Sequence, residues 1–308
     1  MSHALARAGL DKYSVQLRDC CEALFFWLRT QAETGELGIK LKSAPFCHNR
    51  HCPICGWRRG MKVKATLYAA LPAIMDQYPT SRWLFLTLTV RNCPVDELRA
   101  TIQHMGKSLK RMQERKNWPA QGWICGTEVT TGKDRDGTAH PHFHLLLQVP
   151  SSYFKGPNYI PTREWVRRWR DAARLDYDPV VDIRPVKPSK KALQRIEEAK
   201  ARGEDVDTRV EALRGAIAEI TKYAAKASDL TQAGPEWLAT YIEQVHGLKF
   251  LTSGGTLKGV LKDLRKQKGD DEDLVHVGDE GEEGGSDDDP TLAFHWRAKR
   301  GQYQRKRN

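Results

Sequence analysis

The stretch HPHFHLLL, residues 140–147, places histidines at alternate positions ahead of a run of leucines. Side chains two residues apart in a β-strand point to the same face of the sheet. A strand over 142–149 therefore turns His142 and His144 to one face. The apolar side chains of Phe143, Leu145 and Leu147 then point to the other face, and we expect that face to be the core side. Two imidazoles held side by side make half of a metal site, because histidine is the commonest metal ligand.

The segment before these histidines predicts a partner strand. GWICGTEVT (122–130) is followed by a polar, glycine-containing loop (131–139), which indicates a hairpin. If the hairpin is symmetric about its loop, Glu128 lies opposite His142 and on its face. Two histidines and one carboxylate leave positions open for substrate, and phosphate oxygens suit Mg²⁺ or Mn²⁺. Two alternatives to a metal site remain. The histidines could be hydrogen-bonded in a groove without metal, and Glu128 could be a charge at the edge of a strand. His140 has the same parity but lies at the loop edge.

The remaining periodicity predicts an α+β fold. We expect helices at 10–31, 61–77, 95–116, 162–174 and over most of 189–229, with a break at Gly203. We expect strands at 82–90, 122–130, 142–149 and 179–186. Strands interleaved with helices and a long antiparallel hairpin indicate a sheet domain with helices packed on it.

A cysteine-rich segment at 46–60 predicts a compact loop. CHNRHCPIC offers Cys47, Cys52 and Cys55 in a C-x4-C-x2-C spacing. A structural Zn²⁺ site is closed by four ligands, and the fourth is one of Cys20, Cys21, His48 and His51. Seven cysteines without an export signal argue against a disulfide framework. Reduced cysteines without metal and a redox C-x-x-C are the alternatives.

The charge distribution indicates a polyanionic partner. The chain carries a formal net charge of +11, and 269–290 hold eleven acids without a Lys or Arg. Residues 1–268 carry 44 bases and 28 acids, an excess that favours nucleic acid. GWRRGMKVK (56–64) and REWVRRWR (163–170) interleave tryptophan with arginine. Such stretches bind phosphates and stack unpaired bases, or form amphipathic helices with tryptophan inward.

A tyrosine-containing helix is predicted at EITKYAAK (219–226). Residues three and four apart share a helix face, so Glu219, Tyr223 and Lys226 line one side. A nearby cation favours the phenolate and activates a tyrosine nucleophile. An exposed Glu–Tyr–Lys stripe without function is the alternative. The rival tyrosines, none in such a setting, are Tyr159, Tyr177 and Tyr241.

Four motifs together resemble a known family. FLTLTV (85–90), HPHFHLLL and EITKYAAK follow the order of the three motifs of HUH endonucleases. The chain is most similar to the replication initiators of rolling-circle plasmids, which use a single catalytic tyrosine. FCHNRHCPICGWRR (46–59) also resembles the cysteine segment of that family. The likeness covers roughly residues 10–230.

The resemblance implies a fold, an activity and site residues. The fold would be an antiparallel, five-stranded sheet with helices packed on it. His142 and His144 would bind a divalent ion with an acid, best matched by Glu128. Tyr223 would nick one strand at a plasmid origin, leaving a 5′-phosphotyrosine and a 3′-hydroxyl that primes synthesis. Glu219 would activate water for the second, terminating cleavage, and Cys20 would be the fourth zinc ligand.

The implied enzyme is a site-specific DNA-nicking endonuclease and strand transferase. Its partners would be single-stranded or cruciform origin DNA and the host helicase and polymerase. Alternatives are a relaxase, a single-tyrosine transposase, or a zinc-dependent DNA-binding regulator without catalysis. The regulator would explain the cysteines and the charge, but not the histidine pair with the tyrosine helix.

The domain organisation follows from the same patterns. We expect a helical, zinc-binding segment over 1–78 and an HUH catalytic domain over 79–230. A C-terminal helical extension should occupy 231–268, and a disordered acidic then basic tail 269–308. No apolar run is long enough to span a bilayer, so we expect a cytoplasmic protein.

Overall fold

The computed structural model describes residues 1–30, 37–132, 137–221, 227–259 and 290–305. The chain divides into two compact units. The first contains the described residues of 1–62 together with 290–305, and the second contains those of 63–259. Among the described helices, none is long and apolar enough to cross a membrane.

The first unit is built on an antiparallel sheet of four strands in the order β10-β9-β1-β2. Its strands are β1 (Ala23–Thr30), β2 (Leu37–Ser43), β9 (Thr291–Arg297) and β10 (Gln302–Arg305). Helices α1 (Ser2–Arg7) and α2 (Asp11–Asp19) precede the sheet, and α3 (Pro53–Gln77) begins in this unit. Strand β1 pairs with β2 on one side and with β9 on the other.

Three predictions for this unit are wrong in part. The helix expected over 10–31 ends at Asp19, because the aromatic, β-favouring residues of ALFFWLRT form β1. The cysteine loop expected to reach residue 60 ends at Cys52, because Pro53 fits the first position of a helix. The tail expected to be disordered contains β9, which pairs with β1, and β10, which pairs with β9. The acidic run 270–289 lies outside the described residues.

The second unit contains a larger antiparallel sheet in the order β7-β3-β6-β5-β8, with β4 beside β6. The strands are β3 (Arg82–Thr89), β4 (Cys93–Pro94), β5 (Gly122–Thr131), β6 (Thr138–Val149), β7 (Val181–Pro185) and β8 (Leu251–Gly255). The helices are α4 (Leu98–Gln113), α5 (Thr162–Ala173), α6 (Lys190–Ala201), α7 (Thr208–Ile220), α8 (Ala227–Gln232) and α9 (Pro235–Val245).

The predicted α+β class and the antiparallel, five-stranded path are confirmed. The predicted C-terminal helical extension is wrong in part, because its described residues include a strand as well as α9. Strand β8 pairs with β5 at the sheet edge. Gly254 permits this pairing, since a side chain there would overlap the indole ring of Trp123.

Buried side chains lie on both faces of the larger sheet. Phe143, Leu145 and Leu147 lie in the core, as their alternation predicts. The histidine face is also partly covered, because α3 and α7 pack in one cluster with side chains of the sheet. The strand members of that cluster are Trp83, Phe85, Ile124 and Leu146. Leu146 follows His144 by two residues, so the helices cover this face up to the histidines and leave the histidine end accessible.

Candidate metal centre on the histidine face

The strand register assembles three side chains on β6 and β5. Glu128 pairs with His142, as a symmetric hairpin predicts, and Gly126 pairs with His144. On the other side of β6, Thr87 of β3 pairs with His144. Because β6 is a central strand, pairing on both sides holds the backbone at His142 and His144 before any ligand arrives.

The two imidazoles converge on one carboxylate oxygen. Glu128 Oε2 lies 3.1 Å from His142 Nε2 and 2.9 Å from His144 Nε2. The three side chains are only 13–15% exposed, enough for one face of the group to meet solvent. Thr87 Oγ1 lies 3.1 Å from His144 Nδ1 and so fixes that ring from behind. Glu128, His142 and His144 offer ligand atoms that all lie within 4.8 Å of one another.

The electrostatics of this group favour a bound cation. Hydrogen bonds with His142 and His144 hold the pKa of the Glu128 carboxyl well below its usual value. The carboxylate therefore stays ionised at neutral pH. Two imidazole nitrogens and one carboxylate oxygen fit a divalent ion with open coordination positions. The ring of His140 continues the row, 5.2 Å from that of His142, but His140 lies outside the three-residue group.

Helix α7 ends against the histidine face. The carbonyl oxygen of Ile220 occupies the space that a side chain on Gly126 would need. Gly126 lies two residues before Glu128, so both positions face the same way. Glu219 is half-buried in the last turn of α7. Tyr223 and Lys226, the predicted nucleophile and its cation, lie outside the described residues.

Four of the predicted zinc ligands also come together, in the first unit. Cys20 Sγ lies 3.5 Å from Cys52 Sγ and 3.6 Å from Cys55 Sγ, and Cys47 Sγ lies 3.7 Å from Cys55 Sγ. Four thiolates at about 2.3 Å from a tetrahedral zinc ion would be about 3.8 Å apart. The observed separations match this value closely.

The alternatives for the fourth zinc ligand are separated by geometry. Cys20 belongs to the group of four that could hold one ion, whereas Cys21 Sγ lies 4.0 Å from Cys20 Sγ and outside that group. Burial raises the pKa of the Cys47 thiol to about 12. A thiolate in this setting needs a cation beside it, which a zinc ion would supply.

The site contains two residues that the sequence reading did not single out. Thr87 lies inside FLTLTV, and strand alternation could have placed it on the face of His144. Gly126 interrupts an otherwise β-rich strand, which is a signal of close backbone approach. The sequence does not connect that signal with EITKYAAK, because no local pattern gives the path of α7.

Comparisons with known proteins identify the family. A family model described as replication protein matches residues 38–304. The chain belongs to the replication protein family. The resemblance to plasmid replication initiators that the four motifs predict is therefore confirmed.

Several curated relatives of this replication protein have similar extents. It is 34% identical to "Protein rep" of Lactiplantibacillus plantarum over 277 residues, which cover 87% of this chain and 80% of that protein. It is 34% identical to "Protein rep" of Streptococcus pneumoniae over 272 residues, covering 87% and 77%. It is 31% identical to "Replication protein" of Staphylococcus aureus over 238 residues, covering 75% and 93%. No solved structure matches this replication protein.

Proposed function

We propose that this replication protein nicks one strand of a plasmid double-strand origin through a metal-dependent attack by Tyr223. The observation that carries the proposal is the convergence of His142 and His144 on Glu128 beside the end of α7. Tyr223 follows Ile220 by three residues, and three residues span at most about 11 Å. This short separation along the chain supports Tyr223 as the nucleophile.

The proposed ligands have distinct tasks. Glu128, His142 and His144 would hold Mg²⁺ or Mn²⁺, which when bound polarises the scissile phosphoryl group and stabilises charge on its oxygens. Thr87 keeps the ring of His144 turned toward Glu128. Cys20, Cys47, Cys52 and Cys55 would hold a structural zinc ion in the first unit.

The proposed reaction exchanges one phosphodiester for another. The phenolic oxygen of Tyr223 attacks the phosphorus, the bond to the deoxyribose 3′-oxygen breaks, and the phenolic proton ends on that oxygen through solvent. Lys226 favours the phenolate by its charge. The products are a 5′-phosphotyrosine and a 3′-hydroxyl. Because the phosphodiester energy is conserved, no nucleotide cofactor is needed, and Glu219 would activate water for the second cleavage.

The proposed partners follow from the products. The substrate is origin DNA in single-stranded or cruciform form. The 3′-hydroxyl is a primer for a host polymerase, and strand displacement calls for a host helicase.

The test is covalent capture on supercoiled origin DNA with Mn²⁺. We expect a denaturation-resistant protein–DNA species whose peptide map gives Tyr223 as the attached residue. Tyr223→Phe should abolish the species, whereas Tyr159→Phe, at a tyrosine 54% exposed, should not. His142→Ala and His144→Ala should abolish nicking while leaving the melting temperature close to that of wild type.

Two results would contradict this function. Nicking by the double variant His142→Ala/His144→Ala would remove the metal group from the reaction. Origin binding by wild type without any covalent species would support a non-catalytic, zinc-dependent regulator instead.

A further inference from the structure

The two tryptophan–arginine stretches have opposite orientations in the structure. In α5, Trp165 and Trp169 are fully buried, so REWVRRWR is an amphipathic helix with tryptophan inward. In α3, Trp57 is 56% exposed. The structure therefore decides against base stacking by α5, while Trp57 remains open to a partner.

Trp57 belongs to an apolar stripe on the outer side of α3. Ile54, Trp57 and Met61 are spaced by three and four residues, and each is more than a third exposed. The inner side of the same turns carries Cys55 in the cysteine cluster. Arg58 is also inward, with its guanidinium carbon 3.2 Å from the centroid of the Phe46 ring. These contacts fix the helix, so the exposed stripe is presented on a rigid element.

The unit that contains this stripe is strongly basic. Residues 37–62 contain six Lys and Arg and no Asp or Glu. Across the described residues of the first unit, fourteen Lys and Arg stand against three acids, Asp11, Asp19 and Glu22. Arg59 is exposed two residues after Trp57 and donates one hydrogen bond, to the carbonyl of His48. A guanidinium has five N–H donors, so Arg59 has others to offer a phosphate.

We infer that the outer side of α3 around Trp57 binds unpaired DNA, with a base stacked on Trp57 and the backbone following the basic side chains of this unit, Arg59 among them. An exposed indole within a positive field matches single-strand binding surfaces, where aromatic rings stack bases and basic groups follow the backbone. A protein partner that covered the stripe would fit this field only if it were acidic. The inference rests on the proposed function for its substrate, origin DNA in single-stranded form.

The test measures binding without cleavage. The full chain is titrated against a labelled oligothymidylate of about 16 nucleotides, and the anisotropy gives Kd at several salt concentrations. We expect Trp57→Ala to weaken binding about tenfold and Trp57→Phe to retain most of the affinity, since a phenyl ring still stacks. Arg59→Gln should reduce the salt slope by about 0.7, as expected for one lost phosphate contact to a single strand. Tyr159→Ala is the matched control, an aromatic side chain of almost equal exposure.

Each outcome decides the inference. Wild-type affinity in Trp57→Ala would overturn it, and so would an equal loss in Tyr159→Ala. If Trp57→Ala instead keeps DNA affinity but loses self-association in sedimentation, the stripe docks a second copy and the DNA assignment is wrong. Because oligothymidylate lacks an origin, the result is independent of nicking: lost binding in Trp57→Ala stands even if wild type never nicks. Conversely, nicking by wild type does not rescue the inference.

Discussion

The carbonyl oxygen of Ile220 lies where a side chain on Gly126 would project. Gly126 pairs with His144 and shares a face with Glu128. The end of α7 therefore approaches the strand that contains Glu128 only because residue 126 has no Cβ. This close approach places the end of α7, three residues before Tyr223 in the sequence, against the histidine face.

Gly126→Ala should therefore reduce nicking. The added methyl group would displace the end of α7, and a misplacement of about 1 Å near reacting groups can cost about 100-fold in rate. Binding of Mn²⁺ by the three ligands, measured by calorimetry, should persist. The matched control is Gly215→Ala in α7, where an added Cβ would meet nothing within 4 Å. That variant should nick normally and gain up to about 1 kcal/mol of stability. Normal nicking by Gly126→Ala would show that the approach of α7 is not needed.

The zinc assignment is tested by two adjacent cysteines. Cys20→Ser should lose bound zinc and lower the melting temperature, because structural zinc contributes directly to folding. Cys21→Ser should keep its zinc, since Cys21 lies outside the group of four. Elemental analysis of protein purified without chelator measures both. A full zinc content in Cys20→Ser would exclude Cys20 as a ligand.

Glu219 has a predicted role in termination alone. Tyr223 is consumed by the first cleavage, so the second requires another nucleophile, and a carboxylate in the last turn of α7 can activate water. We expect Glu219→Ala to form the Tyr223 adduct at the wild-type rate and to release product slowly. Glu219→Tyr should restore the second cleavage by transesterification. The measurement is the ratio of adduct to released circles over time, and a wild-type ratio in Glu219→Ala would remove Glu219 from the mechanism.

We expect Glu164 to make a pH-dependent contribution to the free energy of unfolding. Hydrogen bonds from Arg167 and Arg168 lower its pKa to about 2, and the side chain of Arg168 is only 8% exposed. A carboxyl with a depressed folded pKa stabilises the protein above its usual value of 4.5 and loses that contribution as the pH falls toward 2. Glu164→Gln should therefore cost about 1 to 2 kcal/mol at pH 7. At about pH 3 the difference from wild type should shrink by about half.

Urea unfolding at both pH values measures this difference. The matched control is Glu114→Gln. It removes the exposed ion pair between Glu114 and Lys110, whose charged atoms lie 3.7 Å apart, and should change the free energy of unfolding by less than about 0.5 kcal/mol. A difference for Glu164→Gln that is equal at pH 7 and pH 3 would contradict the assigned electrostatic origin.

The sequence by itself determined the central part of the protein. Strict alternation in HPHFHLLL fixed which side chains share a face, because the strand repeat of two leaves no other choice. A hairpin symmetric about the loop 131–139 then predicted the pairing of Glu128 with His142, which the structure has. The cysteine spacing predicted three zinc ligands, because ligands near one another in sequence can reach one ion through local geometry alone.

Only the tertiary structure decided the rest, because it depends on contacts between distant segments. The aromatic run after Cys20 is a strand rather than a helix, and one of its two pairing partners, β9, comes more than 260 residues later. The hydroxyl of Tyr303 donates a hydrogen bond to the carbonyl of Cys21, beside the cysteine cluster, and no local pattern announces it. Whether a tryptophan–arginine helix turns its indoles inward or outward was likewise open. Helical periodicity gives a helix two faces, but only packing against the rest of the chain determines which face is buried, and that leaves Trp57 outside and Trp165 inside.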